Sequence, residues 1–259
     1  MNRLSQWLCL LVLLFSTQVV YGQALNYVTA NLPPYTVDKS EAEPGFMYEL
    51  LQLVHAKAGF DFQPKFLSWK RAQVETKEAA NQHHLIFSLT RTSAREAQYK
   101  WILKLGPTKT AFVRLAGNDP INSVGQAKSL GISVGVNQET PWHRYLNKEG
   151  LTDAKLVSNE EFNAKKLIAG RIDAWYVPVD RALYYLKKHG LTQQPVVGEA
   201  LQGGELYLAA NLNFPEELAE ELRVGLSKAL EEVKGEPEYQ ALFNKYFGLA
   251  CSVCVPATP

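Results

Sequence analysis

The chain is poor in sulfur: 259 residues hold three cysteines and two methionines. Cys9 sits inside an early apolar run, so only Cys251 and Cys254 remain for the folded part. Two thiols fall short of the four ligands of a structural zinc site. His83-His84 is remote in sequence and reads as loop surface, so neither a metal nor any other cofactor is expected. Excess charge is also missing: 27 Lys plus Arg stand against 26 Asp plus Glu. No net field invites nucleic acid or an anionic membrane. No Gly-, Ser- or Pro-rich stretch separates two complete domains, and no repeat or low-complexity tract occurs. Beyond the N-terminus no membrane-spanning run is present.

What is present begins with a leader. Arg3 precedes the unbroken apolar run Trp7 to Phe15, and small or aliphatic side chains follow up to Gly22. This is the pattern of a secretory signal over residues 1–22, cleaved near Gly22, which directs the rest to the periplasm. Cleavage leaves 237 residues and removes one cation, so 26 basic side chains balance 26 acidic ones. In an exported chain, Cys251 and Cys254 are expected to oxidise to a local disulfide. A redox-active pair would need a helix N-terminus, and "GLACSVCVPATP" is a chain end.

The remainder alternates strand and helix signals. "LNYVTA" reads as a strand and "GFMYELLQLVHAKAG" as an amphipathic helix closed by Gly59. "FDFQPKFL" reads as a strand, "WKRAQVETKEAA" as a helix and "HLIFSL" as a buried strand. A second unit follows. The strands are "TAFVRLA", "SLGISVGV", "AKLVS", "RIDAWYVP" and "ELYLAAN". The helices are "TPWHRYLNKEG", capped by Thr140 with Pro141 at its first position, "NEEFNAKKLIAG", capped by Asn159, and "VDRALYYLKKHG". A long helix entered through Pro215 and a closing amphipathic helix end the chain. The class is α/β, with parallel-rich sheets and helices on both faces.

Ligands in such sheets bind beyond the carboxyl ends of the strands. "SLTRTSAREAQYKW", Ser88 to Trp101, stands at one such end. Its two arginines and its hydroxyls form either a solvated helix start or a socket for an anion. Thr140 stands at another strand end. Trp142 and Trp175 read as core residues, and Asp173 as structural.

The order of several pieces is similar to a known family. These are "PPY" after the first strand, the Gly-Phe-led helix, "SLTRTSAR", "SVGVNQETPW", "LIAGRIDAW" and "PEYQALFNKYFG". Together they resemble the bacterial extracellular solute-binding proteins of the polar amino-acid type, family 3, the soluble components of ABC importers. The resemblance implies a two-lobed periplasmic binding protein fold (type II) with a two-strand hinge. Lobe 1 would be roughly 23–106 plus 212–259, and lobe 2 roughly 107–211. It places Arg95 where the family's arginine clamps the ligand carboxylate, a role that suits a guanidinium fork. Ser88 and Thr90 fall at hydroxyl and backbone contacts, Thr140 at a helix start that suits an anion, and Tyr35 and Trp69 at the aromatic walls.

Two departures stand out. Where amino-acid binders carry an acid for the α-ammonium, this chain has Pro178, with Asp180 the nearest acid. Arg91 is an extra charge that the pattern does not explain, which favours a ligand more anionic than a common amino acid. The implied partners are a small carboxylate-bearing molecule and a membrane permease of an ABC importer, with the protein a monomer. A sensor module reporting to a separate receptor is the second expectation. An enzyme like the cyclohexadienyl dehydratases is the third, with His143 and Glu139 as its acid candidates.

Overall fold

The computed structural model describes residues 24–40 and 42–248. The expected leader and the pair Cys251 and Cys254 lie outside the described residues.

The first half runs β1 (Asn26–Thr29), α1 (Phe46–Ala58), β2 (Lys65–Phe66), α2 (Trp69–Lys77) and β3 (His84–Arg91). A 3-10 turn (Ser93–Gln98) then leads into β4 (Tyr99–Arg114). The second half runs α3 (Val124–Ser129), β5 (Val134–Asn137), α4 (Pro141–Lys148), β6 (Lys155–Val157), α5 (Glu160–Ile168), β7 (Ala174–Pro178) and α6 (Val179–Lys188). It ends with β8 (Val196–Val197), β9 (Gln202–Asn211), α7 (Glu216–Lys234) and α8 (Pro237–Tyr246).

The strand order is β2-β1-β3-β9-β4-β7-β5-β6, with β8 added on β4. Two parallel wings, β2-β1-β3 and β7-β5-β6, flank the long antiparallel pair β4 and β9. Those two strands carry the chain from one wing to the other and back. Only the second half of β4 was legible as a strand, because Gly106-Pro107 breaks the apolar pattern. The strand continues through them, with register shifts against β9 at Trp101/Leu103 and Lys104/Gly106. "FDFQPKFL" delivers only Lys65–Phe66, since Pro64 has no N–H to give a ladder. The short helix α3 was not anticipated.

Local signals set the element ends. Gly59 takes the left-handed conformation, φ 79°, at the end of α1. The Thr140 hydroxyl accepts from His143 N at 3.2 Å, and Asn159 Oδ1 accepts from Glu161 N at 3.0 Å. Alternation sets the packing. Ala111, Val113, Trp175 and Val177 face one side of the sheet, in a large core under α1, α6, α7 and α8. Phe112, Ala174 and Tyr176 face the other, under α3 and α4. A third cluster, with Val28, Ile86 and Leu89, lies under α2. Among the described residues no helix is long and apolar enough to cross a membrane.

Candidate functional site

Strand β3 breaks its own alternation at Ser88. Leu85 and Phe87 point into the large core, and Ile86 into the cluster under α2. Strict alternation would send Leu89 to the large core, yet it joins Ile86. The cause is one extra residue. Ile86 pairs with Ala209 and Leu89 with Tyr207, three steps on β3 against two on β9. Ser88 absorbs the extra step at φ 59°, a left-handed conformation unusual for serine. It is 5% exposed, and its hydroxyl has no hydrogen-bond partner among the described residues. A strained residue with an unpaired buried hydroxyl at a strand's carboxyl end is a mark of a binding site.

Downstream, the 3-10 turn carries Arg95 back over the end of β3. Its guanidinium donates to Thr90 O at 2.9 Å and to Gln73 Oε1 at 3.3 Å. Gln73 in turn donates to Trp69 O at 3.2 Å, so Arg95, Thr90, Gln73 and Trp69 form one connected set. Trp69 is half-buried against the cluster under α2. Arg91 is committed elsewhere. It pairs with Glu96, donating through Nε at 2.9 Å, and stacks at 5.2 Å over both the Trp101 and Tyr207 rings.

Tyr35 is held from behind. The first amides of α1 are satisfied by the loop that carries it: Phe46 N donates to Pro34 O at 2.8 Å and Met47 N to Tyr35 O at 2.9 Å. The contact is so close that a Cβ on Gly45 would lie 2.4 Å from Tyr35 O, and Gly45 has φ 114°. Its amide donates to the Tyr246 hydroxyl at 2.9 Å, tying the loop to α8.

The facing wing contributes the starts of α4, α5 and α6. Asp180, two residues beyond β7, receives the Tyr35 hydroxyl on Oδ2 and the amide of Arg181 on Oδ1 at 2.9 Å. Arg181 points its Nη1 at both oxygens of Glu160, 3.1 and 3.2 Å away, and Glu160 is 6% exposed. The same guanidinium lies 5.7 Å from the Tyr35 ring and 5.6 Å from the Trp142 ring. Burial pushes the Asp180 carboxyl up, against the lowering by Tyr35 and Arg181. Burial, then the charge of Asp180, pushes the Tyr35 phenol well above its ordinary range. A cavity of about 60 Å³ behind Tyr35, lined by Met47, Lys109, Asp180, Phe243 and Phe247 among others, is room for water rather than a solute.

The sequence-predicted residues fall on two facing walls. Ser88, Thr90, Arg95 and Trp69 lie on one wing with Tyr35, and Thr140 and Asp180 on the other. Further buried polar atoms near the strand ends lack partners among the described residues: Thr29 Oγ1, Asn137 Oδ1, Trp142 Nε1 and Arg181 Nε. Arg181 and Gln73 escaped sequence reasoning. Arg181 was signalled only by adjacency to Asp180, and Gln73 by lying one helical turn beyond Trp69. Trp142 read as core, and it packs beside that core while its ring also meets Arg181. Trp175 is fully buried, and Asp173 ties Ser133 as a structural acid. Among the described residues no group of three or more His, Cys, Asp or Glu could hold a metal.

Residues 26–249 match the profile of the bacterial extracellular solute-binding proteins, family 3. No curated protein matches the chain by sequence. Solved structures share its fold. A polar amino acid ABC uptake transporter substrate binding protein from Streptococcus thermophilus has a TM-score of 0.67 at 20% identity, covering 86% of this chain and 86% of its own. A histidine kinase sensor domain with similarity to periplasmic binding proteins scores 0.62 at 18% identity, covering 88% and 99%. The GluR0 ligand-binding core from Nostoc punctiforme, in complex with L-glutamate, scores 0.59 at 20% identity, covering 86% and 99%. At these identities the likeness shows the fold alone, the two-lobed periplasmic-binding-protein arrangement of type II.

Proposed function

The chain belongs to the bacterial extracellular solute-binding proteins, family 3, and from that premise we propose that it captures a small carboxylate-bearing solute between two closing lobes. In this reading a cleaved leader sends it to the periplasm, and an ABC permease receives the solute. Lobe 1 is 23–106 plus 212–259 and lobe 2 is 107–211, with β4 and β9 as the hinge. The observation that carries the reading is the end of β3. There the Arg95 fork stands four residues past the strand and donates to Thr90 O, two residues after the strained Ser88, whose hydroxyl has no partner among the described residues. A guanidinium with N–H groups to spare and a free hydroxyl on the same strand end suits a carboxylate. Ser88, Thr90, Trp69 and Tyr35 shape the lobe 1 wall, and Thr140, Asp180 and Arg181 the lobe 2 wall.

Binding fits better than catalysis. The dehydratase-type reading needs a free acid near the clamp. The His143 ring nitrogens are instead engaged by Glu139 N at 3.3 Å, just before its own helix, and by Asn147 Nδ2 at 3.1 Å within it, and the Glu139 side chain is exposed. The sensor reading is favoured by one observation, the fold shared with a histidine kinase sensor domain. It keeps the same ligand site and changes only the recipient.

The test is a thermal-shift and calorimetric screen of the purified protein against amino acids and small carboxylates. A ligand raises the melting temperature of any protein that binds it only when folded. At least one compound should shift the wild type and fail to shift R95A. A screen without any shift would overturn the binding reading.

A further inference from the structure

We propose that the solute is a carboxylate without an α-ammonium group. This rests on the binding reading above and narrows it. An ammonium carries three donors and no acceptor, so its site must offer free acceptor oxygens, best of all a carboxylate. The wall facing the Arg95 socket carries Glu160, Glu161 and Asp180 in the first turns of α5 and α6, and all three are engaged inside the protein, Glu161 with Lys165 at 3.1 Å and His189 at 3.0 Å. Asp180 accepts from the Tyr35 hydroxyl on one oxygen and from Arg181 N on the other. Glu160 gives both oxygens to Arg181 Nη1 and is itself buried.

What this wall offers instead is a cation between two rings. The Arg181 guanidinium lies 5.7 Å from Tyr35 and 5.6 Å from Trp142, with its side chain 21% exposed. Its Nε and the indole Nε1 of Trp142 are donors without partners among the described residues. An ammonium set against this wall meets spare donors rather than acceptors, which disfavours it. A hydroxyl, a keto oxygen or a second carboxylate meets complementary groups. On the opposite wall the unpaired Ser88 hydroxyl and the Arg95 fork also suit anions. Glu205 on the neighbouring strand holds Lys104 through Oε1 at 3.0 Å, while its Oε2, like Asn137 Oδ1, is a buried acceptor without a partner among the described residues, so the preference rests on the donors of Arg181 and Trp142. The remaining acid beside Thr140 is Glu139, which is exposed.

Matched pairs decide the point. Calorimetry on the full chain would compare L-glutamate with 2-hydroxyglutarate and glutarate, L-leucine with 2-hydroxyisocaproate, and L-phenylalanine with phenyllactate. At least one deaminated compound should bind tenfold or more tighter than its amino-acid counterpart. An amino acid binding as tightly as its deaminated partners, or tighter, would overturn this inference and leave the binding reading standing. If that preference vanished in E139Q, Glu139 would be identified as the ammonium acceptor. Binding by no member of either series would overturn the binding reading and this inference with it.

Discussion

The phenol of Tyr35, on the loop after β1, donates to the carboxylate of Asp180 at the start of α6, 145 residues away in the chain. The two residues sit on opposite wings, so the bond is a clasp across the cleft. A hydrogen bond to a charged group contributes about 1.5–3 kcal/mol, and leaving one partner buried and unpaired costs a similar amount. Y35F and D180N should each lower the melting temperature. In a double-mutant cycle the pair should show a coupling above about 0.5 kcal/mol, as contacting residues do. Additive losses, measured by denaturant unfolding, would mean that the clasp contributes nothing in solution.

Arg95 and Arg91 are only four residues apart, but they have different surroundings. Arg95 leans on Thr90 O and Gln73 and keeps N–H groups that neither of them uses, whereas Arg91 is paired with Glu96 and stacked on two rings. R95K keeps the charge and loses the fork. It should weaken a carboxylate ligand by roughly tenfold or more, and R95A by roughly a hundredfold, equivalent to about 3 kcal/mol. R91A should weaken it by less than roughly tenfold and cost under about 1 kcal/mol of stability, the range of an exposed ion pair. Calorimetric titration with any compound found in the screen reads all three. Equal losses for R91A and R95A would make Arg91 a second clamp.

Much of this arrangement was legible in the sequence. Caps such as Gly59, Thr140 and Asn159 act within four residues of themselves, and so they could be read locally. That "RIDAWYVP" is a strand and Trp175 a core residue could also be read locally. The bulge at Ser88 could not be read, because "LIFSLT" carries no glycine to announce a left-handed residue, and the extra step exists only relative to β9. The clasp from Tyr35 to Asp180 and the sandwich of Arg181 between Tyr35 and Trp142 are long-range meetings set by how the wings face each other. Asp180 and Tyr35 were each visible as candidates, but their mutual engagement was not. The full length of β4 was hidden by Gly106-Pro107, whose interruption the sheet absorbs as a shift in register.

Ser88 separates stability from binding. Its φ of 59° costs a serine of order 1 kcal/mol, and glycine takes that conformation freely. S88G also removes a buried hydroxyl that has no partner. It should leave the melting temperature unchanged or raise it, while the ligand binds several-fold more weakly. S88V adds bulk and a β-branch to a left-handed site and should destabilise by about 2 kcal/mol. If S88G lowered stability and left affinity untouched, Ser88 would serve only the strand.

His55 makes the fold sensitive to acid. It is fully buried on α1, with Nδ1 2.7 Å from Leu51 O, Nε2 2.9 Å from the Tyr27 hydroxyl, and the Phe62 ring stacked 4.7 Å away. A carbonyl can only accept, so Nδ1 carries the proton and Nε2 accepts from Tyr27. A second proton would have to enter on Nε2, against that hydroxyl and without solvent. Burial accordingly lowers its pKa from 6.5 to about 4. Because the folded value lies below the unfolded one, the neutral ring stabilises the fold fully above pH 6.5, and this is lost as pH falls from 6.5 toward 4. The full span is about 3 kcal/mol. H55Q keeps an amide donor for Leu51 O and an acceptor for Tyr27 but does not titrate. Its melting temperature should therefore fall less than that of the wild type between pH 7 and 4.5, by several degrees for a chain of this size. Parallel pH profiles for the two proteins would show that the acid sensitivity lies elsewhere.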